Sequence, residues 1–236
     1  MLIAGFDVET TGLDTAKDFV LEVGVVLWDT VRAVPVKCYN TLLEWPNLET
    51  IEPRITELTG ITMGDLKSFG VAPGKAFHET LEIFHRADAV LAHNGNLFDR
   101  PILESNLGIL GMSAPGLTWI DSSCDVDFPA DITTRRLKHL ASEHDFLNPF
   151  AHRALFDVLT MLKICQRYDW NQILKWAQTP TIAIKAETNY DQKELAKKLN
   201  YRWNSEKKIW TKSVKEFQLE AETKAATEAG FKIKVL

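Results

Sequence analysis

The chain has 236 residues, of which 45% are apolar and 25% are charged, and its formal net charge is −5. This balance is typical of a globular protein with one ordinary domain and a small second one, and no apolar run reaches the ~20 residues of a membrane span. The acidic start MLIAGFDVET argues against a signal peptide, and three separated cysteines argue against a disulfide scaffold or a cysteine-rich zinc site, so we expect a cytoplasmic protein without a membrane partner.

The first elements in chain order are strands rich in apolar and β-branched residues, predicted over 2–8, 19–28 and 34–43. The short links between them favour an antiparallel meander. Residues 44–74 carry three prolines and four glycines and are predicted to be irregular. Helices then alternate with short strands: we predict helices over 75–87, 97–107, 133–146, 152–168 and 170–177, and strands over 89–92 and 118–120. This order predicts an α/β domain with a mixed sheet.

Two acidic residues, Asp7 and Glu9, end the first predicted strand. Residues i and i+2 of a strand point to the same face, so the two carboxylates lie side by side. Like charges at this range repel unless a cation lies between them, and hard divalent cations prefer oxygen ligands. For this pair alone, ordinary surface acids at a strand edge are the simpler interpretation. The following turn, Thr10-Thr11-Gly12-Leu13, offers hydroxyls and amides to a substrate, or only ends the strand.

Two further segments carry acids in positions that suggest chemistry. His93-Asn94-Gly95-Asn96-Leu97-Phe98-Asp99 follows a short strand, where ligand sites of α/β sheets cluster. Asp99 would begin the next helix, where an acid also simply favours the helix dipole. Asp157 lies inside the most apolar predicted helix, which is costly unless the carboxylate is paired or binds a metal. His152 lies at or just before the start of that helix. The alternative to a functional role is that it is an ordinary surface or core histidine.

Taken in order, the segments FDVETTGLD, HNGNLFDRPIL and HRALFD resemble the three signature motifs of the DnaQ-like (DEDDh) 3′–5′ exonucleases. That family includes polymerase proofreading domains, exonuclease X and RNase T. The resemblance covers roughly residues 1–170 and is nearest in look to exonuclease X-type and phage repair nucleases. The stretch 58–62, LTGIT, also resembles a short element usual between the first two motifs. The resemblance implies an RNase H-like, mixed five-stranded sheet flanked by helices, followed by a small C-terminal α+β appendage.

The resemblance also implies roles for five residues. Asp7 would bridge two divalent metals, Glu9 and Asp157 would complete the first metal site, and Asp99 would hold the second. Four carboxylates without thiolates suit two Mg²⁺ (or Mn²⁺) ions rather than structural zinc. His152, where another branch of the superfamily has tyrosine, would be the general base for the attacking water.

The implied activity is 3′–5′ hydrolysis that releases nucleoside 5′-monophosphates. By the same resemblance, the turn of Thr10, Thr11, Gly12 and Leu13 would hold the 3′-terminal nucleotide, and Asn94 and Phe98 would line the same pocket. Simple packing is the alternative for Leu13 and Phe98. We expect single-stranded DNA or DNA 3′ ends as the substrate, with RNA as the alternative, because the motifs do not distinguish the 2′-hydroxyl.

Charge is unevenly distributed along the chain. Residues 1–179 hold 15 basic and 24 acidic side chains, a net −9, whereas residues 180–236 hold 12 and 8, a net +4. This asymmetry predicts two domains: a catalytic domain over 1–178 and a small basic accessory domain over 180–236. Because four of the acids are candidate metal ligands, the overall charge of −5 does not exclude a nucleic-acid partner.

The basic segment is predicted to contain a strand over 181–186, a helix over 192–199, a hairpin over 201–212, a helix over 214–229 ending at Gly230, and a strand over 231–236. In the hairpin, Trp203 and Trp210 stand among basic residues and could stack on bases while the charges contact phosphates. The alternative is that both tryptophans fill a small core. A further possibility is that residues 180–236 tether the nuclease to a protein partner.

Overall fold

Residues 1–129, 131–132 and 134–236 are described by a computed structural model. The chain divides into two units, Met1–Ala177 and Gln178–Leu236, close to the boundary expected near residue 179. The catalytic and accessory roles expected for these units stay predictions. Among the described residues, no helix combines the length and the apolar character that a bilayer span requires.

The first unit contains a mixed five-stranded sheet. Its strands are β1 (Leu2–Thr10), β2 (Val20–Asp29), β3 (Val34–Leu42), β4 (Ala89–Ala92) and β5 (Thr118–Asp121), in the spatial order β3-β2-β1-β4-β5. The first three strands pair antiparallel, and β4 and β5 run parallel to β1. The predicted meander and the α/β class with a mixed sheet are therefore confirmed.

Seven helices of the described chain belong to or end this unit: α1 (Pro53–Thr59), α2 (Met63–Phe69), α3 (Pro73–Phe84), α4 (Asp99–Ile109), α5 (Leu137–Glu143), α6 (Ala154–Cys165) and α7 (Trp170–Gln178). Apolar residues of α3 and α4 form one hydrophobic core with the sheet, and those of α5, α6 and α7 form a second core. The sheet is thus covered by helices on both faces, as an α/β domain requires.

Two predictions for this unit are wrong. The segment 44–74 is not irregular, because α1 begins with Pro53 at its first position and α2 begins with a capping box between Thr62 and Asp65. The helix predicted over 133–146 is shorter and starts at Leu137, after Arg136 as its N-cap. Thr134 is therefore not the cap, and Thr133, the other predicted cap, lies outside the described residues.

The alternation of β1 points its two acids toward α6. Ala4, Phe6 and Val8 enter the core on the α3 side, whereas Ile3 enters the core that contains α6. Since side chains alternate along a strand, Asp7 and Glu9 lie on the α6 side at the carboxyl end of β1.

A glycine lets α6 approach these acids closely. Gly24 pairs with Asp7 across β1 and β2, and a Cβ atom at Gly24 would lie 2.5 Å from the carbonyl carbon of Ala154, the first residue of α6. Any side chain there would push the helix away, so Gly24 sets the distance between α6 and the acids.

The second unit has a four-stranded antiparallel sheet and two helices. Its elements are β6 (Thr181–Glu187), α8 (Lys193–Lys198), β7 (Arg202–Asn204), β8 (Ile209–Lys215), α9 (Leu219–Glu228) and β9 (Lys232–Val235), with the strand order β7-β8-β6-β9. The predicted α+β appendage and hairpin are confirmed. The helix predicted over 214–229 is wrong at its start, because Val214 pairs with Ile182 in the sheet and α9 begins only at Leu219.

Candidate active site

Acidic side chains from three elements converge at the carboxyl end of β1. Glu9, His152 and Asp157 each offer a possible ligand atom, and these three atoms lie within 4.8 Å of one another. Asp7 lies close enough to Asp99, Glu9 and Asp157 for their charges to raise its pKa. The structure therefore brings together all five residues that the motifs predicted as catalytic.

Asp157 and His152 are held together by hydrogen bonds at the start of α6. The backbone amide of His152 donates to Asp157 Oδ2 at 2.9 Å, and Asn148 Nδ2 donates to Asp157 Oδ1 at 2.6 Å. His152 has a φ of 63°, a left-handed conformation that is uncommon outside glycine. Its backbone bond to Asp157 stabilises this conformation, and its side chain remains exposed to solvent.

Asp99 joins the cluster from the start of α4. It is the first residue of α4, and only 2% of its surface is exposed. Burial, and to a smaller extent the charge of Asp121, raises the pKa of Asp99 to about 7, although hydrogen bonds from the backbone amides of Asp99 and Val8 oppose this rise. Because Val8 separates Asp7 from Glu9 in the chain, this bond ties α4 to the acidic strand end.

Burial and mutual repulsion raise the pKa values of the carboxyl groups in the cluster. Burial, followed by the charges of Asp99 and Glu9, raises the pKa of Asp7 well above its ordinary value. Burial, followed by the charges of Asp157 and Glu22, raises the pKa of Glu9 to about 8. Burial also raises the pKa of Asp157. Four carboxylates in this state favour any ligand that supplies positive charge.

Glu22 and Arg153 form an ion pair beside the cluster that the sequence reasoning missed. Glu22 stands opposite Glu9 across β1 and β2, and its side chain is 1% exposed. Arg153 Nη2 donates to Glu22 Oε1 at 2.8 Å and Arg153 Nε donates to both carboxylate oxygens, while the Ala154 amide and Asn40 Nδ2 also donate to Glu22. The pair therefore fixes the residue after His152 to the strand next to Glu9. Glu22 is the one charge inside VLEVGVVLW, and this buried charge was a signal in the sequence.

A cavity of about 430 Å³ opens next to this ion pair. Its lining combines the ion pair with the end of β3 and with residues of the 58–62 segment and α2, among them Asn40, Gly60, Ile61, Asp65 and Phe69. The LTGIT element noted in the sequence thus lies against the α6 side of the site.

The turn predicted to hold substrate is organised by Asp18, which the sequence reasoning also missed. Thr11 Oγ1 donates to Asp18 Oδ1 at 2.7 Å and accepts from the Phe19 amide at 2.9 Å. A Cβ atom at Gly12 would lie 2.5 Å from Asp18 Oδ2, so the close contact needs glycine. Thr10 Oγ1 donates to the Gly12 carbonyl at 2.6 Å, and Leu13 is 79% exposed. Leu13 therefore does not pack in the core.

The remaining predicted contact residues differ in exposure. Asn94 is exposed with a φ of 64°, and its backbone N–H donates to Asp121 Oδ1 at 2.9 Å. Phe98 is half-buried and packs against the core on the α3 side, as the packing alternative expected. A pocket role for Asn94 and Phe98 stays a prediction.

Comparison with known proteins assigns the family. The family model of the RNase T exonucleases matches residues 4–165. A structure of exonuclease I, solved in a study of its processivity, superposes with a TM-score of 0.63 at 15% identity, over 77% of this chain and 48% of that chain. A zinc-bound complex of E. coli ExoI with ssDNA gives a TM-score of 0.63 at 14% identity, over 83% of this chain and 49% of that chain. The nuclease domain of 3′hExo, a DEDDh family member bound to rAMP, gives a TM-score of 0.58 at 14% identity, over 70% of this chain and 90% of that chain.

At these identities the solved structures establish a common fold, and the chain spans about half the length of the exonuclease I chains it matches. No curated protein sequence matches the chain. The family model covers more than half of the chain and all three motifs. The chain therefore belongs to the RNase T exonuclease family. It carries the DnaQ-like (DEDDh) motifs and the RNase H-like fold that the sequence predicted.

Divalent metal ions are implied by this family, and the side chains present fit them. The donors are carboxylate oxygens with one imidazole, the set that hard cations accept, and three ligand atoms are already close enough to share one ion. Burial and the neighbouring carboxylates raise the pKa values of Asp7 and Glu9, and a bound cation would offset both effects. Asp7, Glu9, Asp99 and Asp157 would hold the ions.

The stability of the metal-free protein is expected to fall as the pH rises. A carboxyl group whose pKa is raised by folding contributes stability below its unfolded pKa of about 4, and this contribution is lost as the pH passes the folded value. For Asp99 the loss runs from about pH 4 to about pH 7, and for Glu9 from about pH 4 to about pH 8. Thermal denaturation should show a Tm lower by several degrees at about pH 8.5 than at about pH 5.5, since about 1 kcal/mol shifts the Tm by ~2–4 °C at this size.

Mg²⁺ should raise the Tm more at the higher pH, where the carboxylates are charged. The Glu9→Gln variant provides the control, because it removes one of the titrating groups and should flatten the pH dependence. An Mg²⁺-induced rise in Tm that is the same at both pH values would contradict this account of the cluster.

Proposed function

We propose that this exonuclease degrades single-stranded DNA or DNA 3′ ends to nucleoside 5′-monophosphates by a two-metal mechanism with Mg²⁺ or Mn²⁺. The observation that carries the proposal is the convergence of carboxylates from β1, α4 and α6 around one exposed histidine. Divalent ions bound by Asp7, Glu9, Asp99 and Asp157 would supply charge stabilisation for the attacking and leaving oxygens.

The chain's own groups supply the remaining chemistry. His152 takes a proton from the attacking water, and its exposed imidazole lies within reach of Glu9 and Asp157. The bond from the His152 amide to Asp157 keeps the base next to the carboxylates. The turn held by Asp18 presents Leu13 to the 3′-terminal base, where an apolar contact tolerates any base.

Both nucleic acids occur among the structures that share the fold. E. coli exonuclease I has been solved with a dT13 oligonucleotide, and another of the structures describes the recognition of a histone mRNA stem-loop by a 3′-exonuclease. We favour DNA because the sequence resembles exonuclease X-type and phage nucleases, and RNA is the second candidate.

A side-by-side time course tests the substrate. Single-stranded DNA, the same DNA as a duplex, and RNA of the same sequence are each incubated with the protein and Mg²⁺, and shortening is followed on a gel. We expect the DNA single strand to shorten fastest. Faster loss of RNA would make RNA the substrate, because only the 2′-hydroxyl of RNA and the thymine methyl group of DNA distinguish the two strands.

A further inference from the structure

The second unit exposes aromatic rings that its small core does not need. Its core is built from residues such as Ile184, Tyr201, Val214 and Phe231. Trp210 is half-buried and packs against this core, as one alternative expected, but Trp203 is 50% exposed on the edge strand β7. The idea that both tryptophans fill the core is therefore wrong for Trp203. A large exposed aromatic side chain on a strand edge is available to a binding partner.

The exposed tryptophan continues into a row of rings and ammonium groups. Trp203 and Trp210 face each other across β7 and β8 with ring centroids 5.5 Å apart. Lys197 Nζ lies 6.0 Å from the Trp210 ring, and Lys193 Nζ lies 4.1 Å from the ring of Tyr190. Lys193 and Lys197 are four residues apart in α8, so they share one face of the helix.

We call the surface formed by Tyr190, Lys193, Lys197, Trp203 and Trp210 the aromatic-basic surface. Tyr190 is 79% exposed. Arg202, Lys207 and Lys208 are exposed in and next to the hairpin that carries the tryptophans. Residues 180–236 carry a net charge of +4, in contrast to −9 for the rest of the chain.

The charge of this surface is available to a ligand. Lys197 pairs with Glu194 at 2.7 Å, but both side chains are more than half exposed, and such a pair contributes little stability. A phosphate can therefore replace the carboxylate at small cost. Aromatic faces interleaved with flexible cations fit a chain that alternates flat bases with phosphates.

We propose that the aromatic-basic surface binds single-stranded nucleic acid, with bases stacked on Trp203 and Tyr190 and phosphates contacted by Lys193 and Lys197. The surface uses none of the catalytic residues, and the proposal goes beyond the exonuclease activity. Stacking requires unpaired bases, so duplexes bind less tightly.

The test measures binding of the full-length protein to a fluorescein-labelled oligonucleotide by fluorescence anisotropy, in EDTA to prevent cleavage. Trp203→Ala is expected to weaken binding about tenfold, and Trp203→Phe, which keeps a ring, should restore most of the affinity. Val235→Ala is the matched control, because Val235 is equally exposed but lies on β9 at the opposite edge of the sheet.

Salt dependence tests the charged part of the surface. Lys197→Ala should reduce the slope of log K against log salt by about 1, whereas Lys224→Ala, which removes an exposed charge from α9, should leave it unchanged. The measurements are made with a DNA and an RNA oligonucleotide of the same sequence, and they identify which nucleic acid the surface binds. Weakened binding in either arm supports the proposal.

Cleavage of a dinucleotide separates this proposal from the proposed function, because it requires the catalytic cluster and no contact of a longer strand with the aromatic-basic surface. It should be the same for Trp203→Ala and the unaltered protein. If Trp203→Ala and Lys197→Ala bind both strands as the unaltered protein does, the surface does not bind nucleic acid and a protein partner takes its place.

Discussion

Replacing Asp7 by asparagine is expected to lower the rate of 3′ nucleotide release by at least about 10³-fold, a loss of about 4 kcal/mol of transition-state stabilisation. Asp7 lies at the centre of the cluster, where the charges of Asp99, Glu9 and Asp157 all act on it. An amide keeps the size of the side chain but removes the negative charge that holds cations. The measurement is release from an end-labelled oligonucleotide with Mg²⁺.

Stability separates a chemical effect from unfolding in this variant. Asp7→Asn removes one of several repelling carboxylates, so its metal-free Tm should equal or exceed that of the unaltered protein at about pH 8, while the Mg²⁺-induced rise shrinks. Asp131→Asn makes the same chemical change at an exposed position and should leave activity and Tm unchanged. Full activity in Asp7→Asn would remove Asp7 from the catalytic site.

Replacing Arg153 by alanine is expected to destabilise the protein by about 3–5 kcal/mol, because it leaves the carboxylate of Glu22 buried without its cationic partner. The remaining donors, Asn40 and the Ala154 amide, are uncharged. Without Arg153, the Glu22 carboxylate also repels Glu9, which stands opposite it. The start of α6 and His152 should therefore shift, and the kcat should fall. Urea denaturation and a kcat measurement give the two quantities.

A double-mutant cycle identifies the ion pair as the cause. Glu22→Gln removes the buried charge, so Glu22→Gln/Arg153→Ala should be more stable than Arg153→Ala alone. Arg32→Ala is the matched control, because Arg32 pairs with Asp29 at the surface and its loss should change the stability little. Additive effects of Glu22→Gln and Arg153→Ala would contradict the coupling.

The sequence predicted the elements whose signal is local. Alternation and β-branched residues place β1, β2 and β3, and an apolar stripe places α3 and α6, each within three residues of the observed ends. Three motifs also predict five residues that the fold brings together from distant positions in the chain. Spacing alone cannot show this proximity, and here it came from the resemblance to a known family.

The elements that were missed depend on short signals or on tertiary pairing. α1 and α2 have seven residues each, and their start signals at Pro53 and Thr62 were obscured by the surrounding glycines and prolines. Val214 lies in a helix-like pattern but pairs with β6, so sheet pairing overrides the local preference. The partner of Glu22 lies 131 residues away, and only the fold places Arg153 against it.

The most direct test of the central claim follows the products of one strand labelled at either end. A single-stranded oligonucleotide is incubated with the full-length protein, with Mg²⁺ or with EDTA, over a range of pH. The account predicts that 5′-labelled strands shorten one nucleotide at a time, that 3′-labelled strands release labelled nucleoside 5′-monophosphate at once, and that EDTA stops both. Internal cuts, release from the 5′ end, or equal degradation in EDTA would contradict a metal-dependent 3′–5′ exonuclease built on Asp7, Glu9, Asp99, His152 and Asp157.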